Sequence, residues 1–165
     1  MDSILKLVAP DLYIAGWNAV KKSMDQHRDQ PNVMLWPCAF SGISVIANRK
    51  TIVHRDSGGW PACYDLLLAG GNYGIGTLDV PDLNAKFVYK PGTVIAISGK
   101  VLRHSIEEWD GGERLCLAHF MRNNVHNRLN VMQTQWPRFQ DYTGCMSSGF
   151  LHRWAQAAST PNGTK

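Results

Sequence analysis

The sequence has few cysteines and no closely spaced pair of them. The four cysteines are Cys38, Cys63, Cys116 and Cys145, and none forms the CxxC pair that zinc sites and redox motifs use. An even count would permit two disulfides in a secreted protein, but a domain of 165 residues buries enough core without them. We therefore expect reduced thiols. Because the segment MDSILKLVAP does not read as a secretory leader, we also expect an intracellular protein.

Long apolar runs and long basic runs are also absent. No apolar stretch approaches the roughly 20 residues of a membrane-spanning helix, so we expect no membrane insertion. Lys and Arg total 17 against 13 Asp and Glu, which gives a formal net charge of +4 without a run of consecutive basic residues. This mild excess favours anionic partners such as nucleic acid, and it is the basis for expecting a nuclear location.

The spacing of apolar residues divides the chain into a helical part and a β part. Apolar residues recur at roughly helical spacing over 3–29, interrupted by Pro10, and predict one or two helices. Over 34–122, short runs rich in Val, Ile, Leu and aromatic residues are cut by turn sequences such as SG, GG, GGNYG, KPG and DGG. Many short strands with tight turns predict a mainly β core, namely a sandwich, jelly roll or barrel.

Beyond this β core the chain reads as polar and irregular. Four aromatic residues are expected to anchor it to the body of the protein: Trp136, Phe139, Tyr142 and Trp154. We predict one domain over 1–157, a flexible tail over 158–165 and a monomeric protein. His27, His126 and His152 lie in polar surroundings and are expected at the surface.

The stretch NRKTIVHRDSGGW places His54 and Asp56 at the end of an alternating run. Alternate residues of a strand point to the same face, so the two side chains can share one metal ion. His104 again follows a β run, fifty positions after His54, and is the natural third ligand. Two histidines and one carboxylate with open coordination positions form the facial triad of non-haem Fe(II) oxygenases. An HxD pair alone arises often by chance, so this interpretation depends on its context.

Four longer motifs supply that context: HRDSGG, YDLLLAGGNYG, YKPGTVIAISGKVLRHSI and ERLCLAHFMRNN. With them, the chain from Gly42 to about Asn124 resembles the Fe(II)/2-oxoglutarate-dependent dioxygenases. It looks most like their TET/JBP group, especially its fungal members, which oxidise methylated nucleobases. The resemblance implies a double-stranded β-helix, which is a distorted jelly roll. It also implies Fe(II), 2-oxoglutarate as cosubstrate, molecular oxygen, ascorbate as a stimulant, and DNA with methylated bases as partner.

The resemblance also implies a role for individual residues. His54, Asp56 and His104 would hold Fe(II). Arg114, ten residues after His104, would pair with the distal carboxylate of 2-oxoglutarate, for which a guanidinium offers two parallel donors. Cys116 takes the place of a serine that helps to hold the cosubstrate, and its thiol is a weaker hydrogen-bonding group.

Further residues are candidates for cosubstrate or substrate binding. Asn48 is a candidate donor to 2-oxoglutarate. Phe120 aligns with an aromatic residue that stacks on the target base, although filling the core is an equally good interpretation. Arg122 aligns with a base-contacting histidine. Asp65 is expected either to face the pocket or to lie at a turn or strand edge. Strand parity places His119 on the face opposite to Arg114, where we expect it to pack against other residues.

We therefore expect an enzyme that oxidises the methyl group of a modified base in DNA. 5-Methylcytosine is the first choice, with N6-methyladenine or thymine as alternatives. A hydroxylase of protein side chains or small molecules on the same fold is a second interpretation, and a non-enzymatic jelly-roll binding module is a third. The sequence leaves open the sequence context, the extent of oxidation, and whether a further chain or segment is needed for DNA binding.

Overall fold

A computed structural model of the chain describes residues 1–132 and 134–135. The predictions for the four aromatic anchors, for Cys145 and His152, and for the tail over 158–165 lie outside the described residues. Three helices begin the chain: α1 (Asp2–Val8), α2 (Pro10–Gln26) and α3 (Pro31–Met34). Pro10 is the first residue of α2, where its missing N–H has no partner to lose, so it separates α1 from α2.

Within the described residues, eight strands follow: β1 (Gly42–Ala47), β2 (Thr51–His54), β3 (Asp65–Gly71), β4 (Gly76–Val80), β5 (Ala85–Tyr89), β6 (Val94–Ile97), β7 (His104–Ile106) and β8 (Arg114–Phe120). They form two four-stranded antiparallel sheets with the strand orders β1-β8-β3-β6 and β2-β7-β4-β5. A short 3-10 helix, Pro81–Leu83, connects β4 to β5. This is the mainly β jelly roll that the sequence predicts.

The register of the first sheet determines which side chains enter the space between the sheets. In the β3–β8 pair, Arg114 lies opposite Gly71 and Cys116 lies opposite Ala69. Directly opposed residues point to the same face, and Ala69 packs with Leu78, Val80 and Tyr89 of the second sheet. Arg114 and Cys116 therefore point into the interior of the jelly roll.

The opposite face of the first sheet packs against the helices. Leu66 shares a buried cluster with Leu5 and Leu12 of α1 and α2, and a Cβ at Gly16 would collide with the backbone of Ala39, so α2 requires glycine there. His119 lies on this face, where its ring packs edge-on against Phe40 with the ring centroids 5.5 Å apart. Its position matches the packing role expected from strand parity.

A fourth helix, α4 (Asn123–Arg128), follows β8. The expectation of an irregular chain after β8 is wrong here, and so is the expectation of a surface His126, which is only 4% exposed. Helical spacing turns Val125, His126 and Leu129 inward, while their polar neighbours face solvent. Burial lowers the pKa of His126. No helix in the described part of the chain combines the length and apolar character needed to cross a bilayer.

Candidate metal and cosubstrate site

Two neighbouring strands of the second sheet bring three predicted ligands together. His54 ends β2 and lies opposite His104, the first residue of β7, while Asp56 follows two residues after His54. Nε2 of His54 is 3.5 Å from Asp56 Oδ1, and Nε2 of His104 is 3.9 Å from Asp56 Oδ2. One ligand atom from each residue lies within 4.8 Å of the others. We call these three residues the triad.

Backbone carbonyl groups orient both imidazole rings of the triad. Nδ1 of His54 lies 2.9 Å from the carbonyl oxygen of Ile52, and Nδ1 of His104 lies 3.1 Å from that of Leu102. In the tautomer in which Nδ1–H donates to these oxygens, both Nε2 atoms carry free lone pairs directed at Asp56. The donor set of two imidazoles and one carboxylate suits Fe(II), with positions left for cosubstrate and oxygen.

Arg114 is a buried cation at the start of β8. It is 2% exposed, and its guanidinium lies between the rings of Tyr89 and Trp109, with 5.6 Å from Cζ to each ring centroid. Nη1 donates to the carbonyl of Arg49 at 3.4 Å, but Nε has no hydrogen-bond partner and no carboxylate lies within ion-pair distance among the described residues. A buried charge is normally paired, so this pocket suits an incoming carboxylate.

Cys116 and Asn48 flank Arg114 in different ways. Cys116 is buried, with Sγ 3.6 Å from the hydroxyl of Tyr89, whose ring also contacts Arg114. Asn48 adopts a left-handed backbone (φ 49°), and its Oδ1 accepts the Arg114 backbone N–H at 2.7 Å while Nδ2 donates to Glu113. The Asn48 amide is thus already engaged. In the structure Asn48 therefore fixes the start of β8, and its role as a donor to 2-oxoglutarate stays a prediction.

Asp65 lies beside the triad at the first position of β3. It is 7% exposed, and a Cβ at Gly99 would collide with Asp56 Oδ2 and lie 3.0 Å from Asp65 Oδ2, so glycine lets the two carboxylates approach. Burial, followed by the charge of Asp56, raises the pKa of Asp65 to about 7, while Arg122 acts in the opposite direction. Asp65 thus lies at the start of β3 with its carboxylate beside that of Asp56, and its role in substrate binding stays a prediction.

Phe120 and Arg122 form one stacked unit at the end of β8. The Arg122 guanidinium lies over the Phe120 ring, 4.3 Å from Cζ to the ring centroid. A Cβ at Gly42 would collide with the Phe120 ring, and a Cβ at Gly58 would collide with Arg122 Nη1. The ring is therefore held between β1 and Arg122. The roles of Phe120 and Arg122 in binding a base stay predictions.

Tyr89 and Trp109 are pocket residues that the sequence does not single out. Tyr89 ends β5, where an aromatic residue before a Pro-Gly turn reads as ordinary core. Both reach Arg114 through contacts distant in sequence, because Gly76 pairs with Tyr89 in the sheet and forms an isolated bridge with Trp109. No local pattern encodes that meeting point.

Two histidines and one carboxylate on a jelly roll, with a buried arginine that has no carboxylate partner among the described residues, form the arrangement typical of a non-haem iron oxygenase. Residues 1–123 match the Tet_JBP family model, the oxygenase domain of the 2OGFeDO superfamily. The chain belongs to this family of oxygenase domains of the Fe(II)- and 2-oxoglutarate-dependent dioxygenases. The resemblance stated from its motifs is confirmed.

Similarity to one solved structure, NgTET1, supports the fold. The chain is similar to NgTET1 in complex with 5mC DNA, with a TM-score of 0.57 and 17% identity, over 85% of this chain and 51% of that chain. It thus spans about half the length of that protein. A Cupin 2 conserved barrel domain protein from Salinispora arenicola CNS-205 is similar with a TM-score of 0.39 and 14% identity, over 58% of this chain and 76% of that one. No curated protein sequence matches the chain.

Proposed function

We propose that this dioxygenase oxidises the methyl group of a modified nucleobase in DNA, with 5-methylcytosine as its first substrate. The observation that carries the proposal is the group formed by Asp65 and Arg122 next to the triad residue Asp56. It places a hydrogen-bond acceptor and several donors beside the reaction centre. The resemblance of the fold to NgTET1, described in complex with 5mC DNA, is consistent with this choice.

The residues divide the work between the metal, the cosubstrate and the exclusion of water. The triad would hold Fe(II), which supplies the activation of oxygen when bound. Arg114 fixes the distal carboxylate of 2-oxoglutarate and so sets its orientation toward the triad. Tyr89 and Trp109 surround the guanidinium and keep water from that ion pair. Ascorbate would act only by keeping the iron reduced.

The pair formed by Asp65 and Arg122 favours a base with an exocyclic amino group. A base in a duplex must first be flipped out and can then be read on its Watson–Crick edge. In its ionised form, which predominates above its pKa of about 7, Asp65 accepts from an amino group, whereas Arg122 only donates, to a ring nitrogen or a carbonyl. Cytosine offers both partners side by side. N6-methyladenine offers the same pair and ranks second, while thymine lacks the amino donor and ranks third.

The Arg122 guanidinium also supplies a platform for the flipped base. Bases stack on arginine planes as well as on aromatic rings, and Phe120 holds this plane from behind. The proposed task of Phe120 is therefore to orient Arg122, which in turn contacts the base. The formal net charge of +4 favours approach to the DNA backbone.

The test incubates the protein with Fe(II), 2-oxoglutarate, ascorbate and oxygen, together with oligonucleotides that carry 5-methylcytosine, N6-methyladenine or no modification. Digestion and mass spectrometry measure oxidised bases, and succinate is measured in the same samples. We expect 5-hydroxymethylcytosine with matching succinate. Asp56→Ala should abolish both products, and Asp25→Ala, which changes an exposed aspartate in α2, should change neither.

Other results would redirect the proposal. Succinate without any oxidised base would leave the oxygenase and move its substrate to a protein side chain or a small molecule. Full activity of Asp56→Ala would overturn the assignment of the triad. Metal binding without succinate would favour the binding-module interpretation.

A further inference from the structure

The carboxylate of Asp82, in the 3-10 helix Pro81–Leu83, binds two arginines. Its Oδ1 accepts from Nε and Nη2 of Arg103 at 2.8 and 2.7 Å, and its Oδ2 accepts the Arg103 backbone N–H at 2.7 Å. Oδ2 also accepts from Nη2 of Arg55 at 3.2 Å. These bonds, led by the Arg103 side chain, lower the pKa of Asp82 to about 2. We call Arg55, Asp82 and Arg103 the Asp82 clamp.

The two arginines of the clamp are chain neighbours of every triad residue. Arg55 stands between His54 and Asp56, and Arg103 immediately precedes His104. Their side chains point away from the triad toward Asp82, because adjacent residues in an extended chain project to opposite sides. One carboxylate from a third segment thus joins the two segments that carry all three ligands.

Three further hydrogen bonds run between these two segments. The Asp56 backbone N–H donates to the carbonyl of Gly99 at 2.9 Å, and Nε of Arg55 donates to the carbonyl of Val101 at 2.8 Å. Nζ of Lys100 donates to the carbonyl of Ser57 at 3.1 Å. The segment that carries Asp56 therefore lies directly against the segment that leads to His104.

Strand pairing alone leaves this region poorly fixed. Within the β2–β7 pair, the register shifts between Thr51 and His54, so the ladder is irregular where it reaches the triad. The hydrogen-bond ladder is locally disrupted at such an irregularity, so contacts outside the ladder share in setting the separation of the two segments. An additional constraint is needed just outside the triad, where the Asp82 clamp lies.

We propose that Asp82 is a positioning residue of the metal centre, which sets the separation of His54 and Asp56 from His104 through Arg55 and Arg103. The inference rests on the triad of the proposed function. Isolated surface ion pairs contribute little, but Asp82 accepts from the side chain and the backbone of Arg103 through its two oxygens and belongs to a network of three charges. Its effect is expected on the geometry of the ligands rather than on the stability of the domain.

The experiment titrates Co(II), a spectroscopic substitute for Fe(II), into the wild-type protein, Asp82→Asn, Asp82→Glu and the control Asp25→Asn. Asp25 forms an exposed ion pair with Arg28 and matches the charge change. Removal of groups that directly bind metal ligands weakens metal binding about 10- to 100-fold, and Asp82 acts one step further out. We expect a Kd for Co(II) that rises about 3- to 10-fold in Asp82→Asn, with a changed visible absorption band and an unchanged melting temperature.

Asp82→Glu, which keeps the charge, should restore most of the affinity, and Asp25→Asn should match the wild type. Equal affinity and equal spectra for wild type and Asp82→Asn would overturn the proposal. Tighter DNA binding by Asp82→Asn with unchanged Co(II) binding would also overturn it and assign Arg55 and Arg103 to phosphate contacts. If His54→Ala binds Co(II) as the wild type does, the triad itself fails, and the proposed function fails with it.

Discussion

At the scale of single residues, Arg114 is a buried guanidinium with no carboxylate partner within the described part of the chain. Lysine at this position would keep the charge but lose the fork of parallel donors. A charge-assisted hydrogen bond contributes about 1.5–3 kcal/mol, so Arg114→Lys should raise the KM for 2-oxoglutarate on the order of 10- to 100-fold. The kcat at saturating cosubstrate should change much less. Succinate formation at varied 2-oxoglutarate measures both constants.

Arg28→Lys provides the matched control, because Arg28 is exposed and forms a surface ion pair with Asp25. It should leave both constants unchanged. An Arg114→Lys enzyme with the wild-type KM would place the cosubstrate anchor at another residue.

Local sequence predicts a residue's role only where that role depends on strand periodicity. The alternation that predicts a shared face for His54 and Asp56 belongs to the extended chain at the end of β2, and the parity that separates His119 from Arg114 belongs to β8, so both are local. The contact of Asn48 cannot be read from local sequence in this way. Its backbone is left-handed, and its side-chain amide meets the backbone of Arg114, which is 66 residues away. Long-range pairing of this kind leaves no pattern in the sequence around Asn48.

At the scale of elements, the loop after β2 carries two adjacent glycines with different surroundings. A Cβ at Gly58 would collide with Arg122 Nη1, whereas a Cβ at Gly59 would lie 3.5 Å from the nearest atom, Cβ of Lys100. Gly58→Ala should therefore push the Arg122 guanidinium from its place over Phe120. We expect the KM for the methylated oligonucleotide to rise about 3- to 10-fold, comparable to the loss of one stacking contact of about 1 kcal/mol.

The adjacent variant Gly59→Ala is the control for this prediction and should retain the wild-type KM for DNA. Binding of 2-oxoglutarate should be unchanged in both variants, because Arg114 lies at the other end of β8. Equal KM values for DNA in Gly58→Ala and Gly59→Ala would exclude Arg122 from the base pocket.

Helix α4 contains a second element-level feature, the buried His126. Its Nε2 has no hydrogen-bond partner among the described residues, and burial lowers its pKa below the usual 6.5. Between the usual pKa of about 6.5 and the lowered pKa of the folded protein, the unfolded chain binds a proton that the folded chain does not bind, so stability falls as the pH decreases through this window. His126→Leu should remove this contribution. Urea midpoints at pH 7.5 and pH 5 should then differ less than in the wild type.

Replacement of the exposed His27 by glutamine is the comparison for His126→Leu, and it should leave the difference between the two midpoints as in the wild type. If His126→Leu loses as much stability on acidification as the wild type, the acid sensitivity arises from other groups.

At the scale of the whole molecule, the turn sequences predict many short strands but not their neighbours. The sheet order β1-β8-β3-β6 joins strands that are far apart in sequence, and the sheet order β2-β7-β4-β5 does the same for the strands of the triad. A jelly roll is therefore predictable as a class from composition and turns. The contacts of Tyr89 and Trp109 with Arg114 cannot be predicted in the same way, because they depend on which strands pair with each other.

The two sheets supply different parts of the site, which predicts how ligands stabilise the molecule. The triad lies at β2 and β7 of one sheet, whereas Arg114 lies on β8 of the other. A metal ion alone therefore joins segments of one sheet, but a metal with 2-oxoglutarate connects both. At 100 times its Kd, a ligand that binds only the folded protein adds about 2.7 kcal/mol, which corresponds to a rise in Tm of roughly 5–10 °C.

We expect Mn(II) alone to raise Tm, 2-oxoglutarate alone to have almost no effect, and the two together to raise Tm further than Mn(II) does. Mn(II) replaces Fe(II) here so that thermal unfolding is measured without turnover. Arg114→Met should keep the effect of the metal and lose the added effect of 2-oxoglutarate, because the link to the first sheet is missing. His54→Ala should lose both effects. If 2-oxoglutarate raised Tm equally with and without Mn(II), it would bind away from the triad. The proposed connection between the two sheets through the site would then be wrong.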